Sequence, residues 1–337
     1  MADRAMPTDT AQKHLEQIRE SFAPCQKRLG MVSLLVMGAF GRGEGSVISR
    51  GGKLLPLNDY DLCLVTKRNL LVARYFAERI VKELKKSLPV YSIDVFVLKE
   101  CELASLPPLI INYEIKYGSA LLWGRDVISE IPDYKASDIP LEDGAKLLFN
   151  RCISLLLGFP DRANDEFSLY QSAKALCAIA ESMLLLCGKY HFTYRQRRDN
   201  FSKAFPAEFP GLKIDYPALS AMVDKAMEFK LHPDYGLFPN PQELWLKTRD
   251  FYLDIFHYYL NRLYKTDFED LGKLIEFFFS RQKQSFSEIF VPWLIYNLRH
   301  KNLLPGFNIR FHPHIFVNAA SPFVLRGLHS NNQEDIA

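Results

Sequence analysis

Apolar positions change period along this chain. In the first third they form short runs of strand length: Met31–Met37, Asp59–Thr66 and Val90–Leu98. In the last of these, Ser92, Asp94 and Phe96 fall on one face and Ile93, Val95 and Val97 on the other. Around them the spacing turns helical. Leu15, Ile18 and Phe22 predict an amphipathic helix over Thr8–Phe22, closed by Pro24, and Leu70–Leu88 predicts a second with a basic outer face. Ile110–Tyr117 reads as a helix and Ala120–Trp123 as a short edge strand stopping at Gly124. Ser46–Pro56 is polar, carries Gly51-Gly52-Lys53 and reads as an exposed loop.

Pro132–Pro140 is the best linker candidate, and beyond it the helical period prevails. Helices are expected over Leu141–Phe159, Phe167–Gly188, Tyr216–Phe229, Pro241–Tyr264, Leu271–Phe279 and Ser285–Arg299. The pattern therefore predicts an α+β chain. A first domain over residues 1–136 carries a small mixed sheet with flanking helices, a helical bundle follows over 137–330, and 331–337 is a disordered tail. A functional cleft is expected where the two domains meet, since ligand sites favour such boundaries.

Composition narrows the class. A length of 337 residues suits two domains with substantial cores. The net charge of +3 and the lack of a basic stripe disfavour nucleic acid as a partner. No apolar run reaches membrane-spanning length, and Met1–Glu20 lacks a secretory core, so no membrane association is expected. The six cysteines are scattered without CxxC spacing, mostly in apolar surroundings, which predicts reduced thiols and a cytoplasmic protein.

Chemistry concentrates in three aspartates. Asp59 and Asp61 stand two apart in Leu57-Asn58-Asp59-Tyr60-Asp61-Leu62, downstream of the turn Gly38-Ala39-Phe40-Gly41-Arg42-Gly43-Glu44-Gly45. Two residues apart on a strand means one face, roughly 6.5–7 Å apart along the chain. Asp94 lies within another apolar run, where an ionised carboxylate needs a partner. At 4 Å and an effective dielectric near 20, each bare carboxylate pair costs about 4 kcal/mol. Divalent cations remove that cost, and oxygen-only ligands suit Mg²⁺ or Mn²⁺.

The order strand, glycine-rich turn, Asp-x-Asp strand, helix, Asp strand resembles the DNA polymerase beta-like nucleotidyltransferase superfamily. Met37-Gly38-Ala39, Asp59-Tyr60-Asp61 and Asp94 carry the resemblance, which spans Met31–Val97. The turn Gly38–Glu44 is most similar to that of the PII uridylyltransferase and glutamine synthetase adenylyltransferase branch. The sequence departs from the pattern at Ala39, where Gly or Ser is usual, and in the long Ser46–Pro56 stretch before Asp59.

The resemblance implies a nucleotidyltransferase-type sheet in which Asp59, Asp61 and Asp94 are catalytic and hold two metal ions. It implies that backbone N–H groups of Gly38, Ala39 and Gly41, with Arg42, meet the phosphates of a nucleoside triphosphate, ATP by family frequency. The acceptor would be a hydroxyl on a protein or a small molecule. A non-catalytic nucleotide-binding regulatory or partner-binding protein on the same fold is the rival, and three intact aspartates argue against it.

Other signals are weaker. Gly51-Gly52-Lys53 lacks the P-loop spacing, with Leu54 at the hydroxyl position, and the Gly41/Gly43/Gly45 series lacks dinucleotide-binding spacing. His312-Pro313-His314 reads as a structural loop without a third ligand. Tyr194-Arg195-Gln196-Arg197-Arg198 reads first as a solvated loop and second as a grip on phosphate or an acidic acceptor. Lys174 and Glu181 share one helical face, exposed by default, and Glu44 is expected to organise the turn. The Tyr/Phe stripe over Phe251–Tyr264 reads as core.

Overall fold

The structure, a computed structural model, describes residues 9–50, 52–90, 92–281 and 313–328. The expected helix Ser285–Arg299, His312 and the tail Asn331–Ala337 lie outside these, as does Gly51.

The chain is α+β. It begins with α1 (Asp9–Phe22), a 3₁₀ turn around Pro24 and the short α2 (Gln26–Leu29). Next come β1 (Met31–Met37), the one-turn α3 (Gly38–Gly41), β2 (Val47–Arg50), β3 (Lys53–Pro56), β4 (Tyr60–Thr66), α4 (Leu70–Ser87) and β5 (Ile93–Lys99). After α5 (Ile110–Gly118) and β6 (Ala120–Gly124) the chain is helical: α6 (Leu141–Leu157), α7 (Asp165–Leu186), α8 (Tyr194–Glu208), α9 (Tyr216–Leu231), α10 (Pro241–Tyr264), α11 (Leu271–Ser280) and a helix over Pro313–Gly327. Among the described residues no helix is long and apolar enough to cross a membrane. All six cysteines are free.

Four strands form the main sheet in the order β5-β4-β1-β6. β1 runs antiparallel to β4 and β6, while β4 and β5 are parallel, joined by α4 as a crossover parallel pairing requires. The sheet is therefore mixed, with β5 and β6 at its edges. One face carries Leu34, Val36, Tyr60, Leu62, Leu64, Ile93 and Val97, packed with residues of α1 and α4 such as Ile18, Phe22, Ala77 and Leu84. The other carries Leu35, Met37, Cys63, Val65 and Leu98, packed with Ile115 and Val127. Burying each such aliphatic side chain contributes roughly 1.5–3 kcal/mol.

Two expectations are corrected. Ser46–Pro56 is a β-hairpin, not an exposed loop: β2 and β3 pair antiparallel with Ile48 opposite Leu55. The apolar pairs Val47-Ile48 and Leu54-Leu55 give a strand on each side of the glycines, a signal outweighed by the flanking polar residues. Tyr194–Arg198 is the first turn of α8, not a solvated loop. Thr193 caps that helix, its side chain accepting the Gln196 N–H, and Arg197 is buried.

The chain divides into two compact units. One comprises Met1–Asp143 and Met183–Leu237, the other Gly144–Ser182 and Phe238–Ala337. The first contains the whole sheet together with α8 and α9, where Phe205 stacks on Tyr216. The second is helical. Within it Trp245 Nε1 donates to the Leu155 carbonyl at 2.8 Å, Tyr252 donates to the Leu148 carbonyl, and Phe149 meets Phe256 edge-on. Tyr252, Phe256 and Tyr259 are buried, as the aromatic stripe implied.

Candidate active site

The three aspartates occupy one corner of the sheet in the first unit. Asp61 on β4 is register partner both of Met37, the last residue of β1, and of Asp94 on β5. Neighbouring strands lie about 4.7–4.9 Å apart, so Asp61 and Asp94 share a face and a row. Asp59 immediately precedes β4 and shares the face of Asp61 by the strand's period of two.

Their surroundings differ. Asp59 and Asp61 are half-buried, whereas Asp94 is exposed and accepts a hydrogen bond from Ser92 Oγ at 3.0 Å. The Asp61 carboxyl is pushed up to about 7, first by burial and then by the charges of Asp59, Asp94 and Glu114, with Arg42 opposing them. Asp61 thus lies within electrostatic reach of both Asp59 and Asp94. The trio is open in this arrangement: among the described residues no group of three or more His, Cys, Asp or Glu side chains closes to metal-binding geometry.

Tyr60, between the two aspartates, points to the opposite face. It is fully buried, stacks on Phe40 at a centroid distance of 4.3 Å, and its hydroxyl meets His14 Nδ1 at 3.2 Å. An aromatic pair of this kind adds about 0.5–1.5 kcal/mol beyond its buried area. The contact fixes which way β4 turns, and so commits Asp59 and Asp61 to the other face. It also ties β4 to the glycine-rich turn, since Phe40 belongs to α3. Upstream of Asp59, the buried Asn58 side-chain oxygen accepts from both the N–H and the hydroxyl of Ser46 at 3.1 and 2.9 Å.

In the turn, Gly38 and Gly41 are each required sterically. Gly38 has φ +62°, and a Cβ placed on it would collide with Asp61 Oδ2. The carboxylate thus lies against the start of α3, where the first N–H groups of a helix lack intrahelical acceptors. A Cβ on Gly41 would strike the carbonyl oxygens of Val36 and Gly118. Ala39 is buried between them.

Arg42 and Glu44 belong to a buried ionic network that the sequence did not reveal. Arg42 Nε donates to Glu44 Oε2 at 3.0 Å, and its Nη1 lies 3.6 Å from Glu114 Oε2. Its guanidinium stands 4.5 Å from the Tyr194 ring centroid. Glu114, from α5, also accepts from Arg197 and, at 2.6 Å, from the Tyr190 hydroxyl. Glu44 accepts the backbone N–H groups of Tyr194 and Arg195 at 2.7 and 3.2 Å, a carboxylate at the N-terminus of α8. Burial works against the Glu114 carboxylate, but Arg197 and then Arg42 outweigh it, and its pKa falls below the usual range. Burial likewise works against the Arg42 charge, yet Glu114 leads the groups that hold its proton more tightly than usual.

Thus Glu44 organises the turn as expected. The basic cluster is spent largely on protein carboxylates: Arg197 on Glu114, and Arg198 on Asp224 and Glu228. Glu114, Tyr190 and Arg197 were not singled out as a group because they lie up to 83 residues apart in the chain. The one available hint was a glutamate, Glu114, between apolar Ile111 and Ile115 in a short helix. Lys174 and Glu181 lie on the part of α7 that belongs to the second unit, and Glu181 is buried rather than exposed.

No protein-family model matches the chain, and no curated protein sequence does. Among solved structures it is similar to spectinomycin adenyltransferase AAD(9) from Enterococcus faecialis, determined with ATP and spectinomycin. The identity is 11% and the TM-score 0.43, over 72% of this chain and 98% of that one. A likeness at this level is one of outline and assigns no residue.

Proposed function

We propose that this protein is a divalent-metal-dependent nucleotidyltransferase that moves a nucleoside monophosphate, AMP from ATP, onto a hydroxyl of a protein or small-molecule acceptor. The observation that carries this is the placement of Asp61. It stands beside Asp94 in strand register, within electrostatic reach of Asp59, with its carboxylate against Gly38 at the start of the glycine-rich turn.

The donor set fits hard divalent cations such as Mg²⁺ or Mn²⁺. It is all oxygen, and burial first, then the charges of Asp59 and Asp94, hold the Asp61 proton more tightly than usual, a penalty on the carboxylate that a bound cation would relieve. Asp59 and Asp61 would hold both ions, and Asp94 would share one of them. When bound, the ions supply charge neutralisation at the phosphates and a lowered pKa for the attacking hydroxyl.

The remaining work falls to the chain itself. Backbone N–H groups over Gly38–Gly41 face the phosphates, where the missing Cβ atoms let the backbone come close. Arg42 is held by Glu44 and Glu114, so it acts by fixing the turn and placing positive charge near the site. Asp94, the exposed carboxylate, lies on the acceptor side. The acceptor oxygen bonds to the α-phosphorus and the bond from that phosphorus to the α–β bridging oxygen breaks. Pyrophosphate leaves with the electron pair, and the hydroxyl proton passes to Asp94 and on to solvent.

The test is incubation with labelled nucleoside triphosphates, Mg²⁺ or Mn²⁺, and cell lysate. Label transfer that disappears in Asp59→Ala and Asp61→Ala supports the enzyme. Tight nucleotide binding with no pyrophosphate released under any acceptor would mark a regulatory protein instead.

A further inference from the structure

The helices that cover the Tyr60 face of the sheet, opposite the aspartates, hold a groove that nucleotidyl transfer does not use. It lies between α4 and the stretch from the end of α1 to α2, and measures about 830 Å³, within the range of small-molecule sites. Its floor is apolar. Phe76, Ile80 and Leu84 line it four residues apart, on one face of α4, over a rise of about 12 Å, and Cys25 lines it from the other bank. Leu84 is buried, whereas Phe76, Ile80 and Cys25 rest on the core with part of their surface left open.

Three cations stand around this floor: Arg28 on α2, and Arg79 and Lys82 on α4. All three are exposed, and none forms an ion pair among the described residues. Two carboxylates share the rim, Glu20 and Glu83. Glu83 is engaged by Lys86, whose Nζ donates to both its oxygens at 2.8 Å. Lys86 first, with Lys82 and Arg79 adding, holds that carboxyl below its usual pKa. Glu20 is then the one carboxylate left against three cations. Arg68, just before α4, donates to the Lys27 carbonyl at 3.2 Å, so α2 adjoins the start of α4. Arg28 therefore belongs to the end of the groove nearer Tyr75 and Arg79, and Leu84 lies toward the other end.

We propose that this groove is a binding site for a single-chain anionic amphiphile, a carboxylate or phosphate monoester bearing an unbranched apolar tail. The head group meets Arg28 and Arg79, with Lys82 adding positive charge, and the tail lies along Phe76, Ile80 and Leu84. A small hydrophilic anion would leave the apolar floor open to water. A neutral amphiphile would cover the floor but forgo the charge-assisted hydrogen bonds, which are roughly twice as strong as neutral ones. A cationic one would meet the three cations with like charge. The site is separate from the aspartate corner and stands whether or not the protein transfers nucleotides.

The experiment is a ligand-observed NMR titration of the full chain with decanoate, with acetate as the head group alone and decylammonium as the tail with the opposite charge. The variants are Arg28→Glu and Arg79→Glu, both at exposed positions, with circular dichroism to verify folding. Lys225→Glu, an equal charge reversal at an exposed position on α9, controls for net charge. The expected result is saturable binding of decanoate and none of acetate or decylammonium. Each groove variant should weaken decanoate about tenfold, the loss of one charge-assisted contact, while Lys225→Glu leaves it unchanged. Unsaturable binding, equal binding of decylammonium, or equal weakening by Lys225→Glu would each overturn the site. Binding to phosphatidylglycerol vesicles without saturable binding of decanoate would also overturn it, since the basic face would then serve a membrane surface and not a groove ligand.

Discussion

Gly38 and Asp61 contend for the same space: a carboxylate oxygen of Asp61 lies where the side chain of residue 38 would begin. Gly38→Ala is therefore expected to destabilise the protein. The left-handed backbone at φ +62° alone costs an alanine roughly 1–2 kcal/mol, and the collision adds to it. A double-mutant cycle with Asp61→Ala separates the two, because it relieves the collision and leaves the backbone cost. Urea unfolding in which the single and double variants add without coupling would refute the steric relationship.

Asp61 sits where its charge costs the fold stability. Its carboxyl is half-buried and crowded by Asp59 and Asp94. In metal-free buffer Asp61→Asn is expected to unfold at the same temperature as the wild type or higher, as often happens when an active-site charge is removed. Adding Mg²⁺ should raise the melting temperature of the wild type and leave Asp61→Asn nearly unmoved. Equal metal response in the two proteins would dissociate Asp61 from cation binding.

Asp94 sits apart from Asp61 in exposure, open to solvent and hydrogen-bonded to Ser92. Asp94→Asn is thus expected to spare ATP binding while abolishing transfer, whereas Asp59→Ala and Asp61→Ala should lose both. Parallel measurement of nucleotide affinity and pyrophosphate release decides this. Equal loss of both in Asp94→Asn would contradict its assignment to the acceptor side.

Glu114 is the shared partner of Arg42 and Arg197. Glu114→Gln keeps the shape but removes the carboxylate that Arg42 and Arg197 share, leaving Arg42 with Glu44. Breaking a buried pair in this way costs about 3–5 kcal/mol. Chemical unfolding of Glu114→Gln should show a loss of that order, larger than that of Lys189→Met, which removes an exposed ion pair with Glu208.

His14 supplies a pH dependence. Burial against Tyr60 lowers its pKa below the usual 6.5, so the folded state binds fewer protons at this site than the unfolded chain. The stabilisation is complete above pH 6.5 and is lost as the pH falls through the lowered value. Unfolding experiments at pH 7.5 and 5.5, about a unit either side of the ordinary histidine value, should show a smaller difference in His14→Phe than in wild type. An identical difference would remove His14 as a source of acid sensitivity.

Much of the corner that holds the aspartates was legible in the chain. Met31–Met37 is a strand with the expected bounds, and Asp59, Asp61 and Asp94 fall on one face because strand side chains alternate. Glycines 38 and 41 marked where backbone and carboxylate must approach closely. The hairpin was less legible, since four-residue strands carry little periodic signal. The start of α8 was hidden by three arginines, of which Arg197 and Arg198 look solvated until their carboxylate partners are known.

By itself the sequence determined the α+β plan, the strand faces and the turn, because these depend on periodicity and on steric rules acting over a few residues. Tertiary structure alone decided that Arg42 and Arg197 are held by Glu114, that Glu44 meets the start of α8, and that Ile48 and Leu55 of the hairpin wall a cavity with Lys85 of α4. Those contacts join residues as much as 151 positions apart. Long-range pairing of charges and apolar walls is set by how elements pack in space, and no local pattern in the chain encodes it.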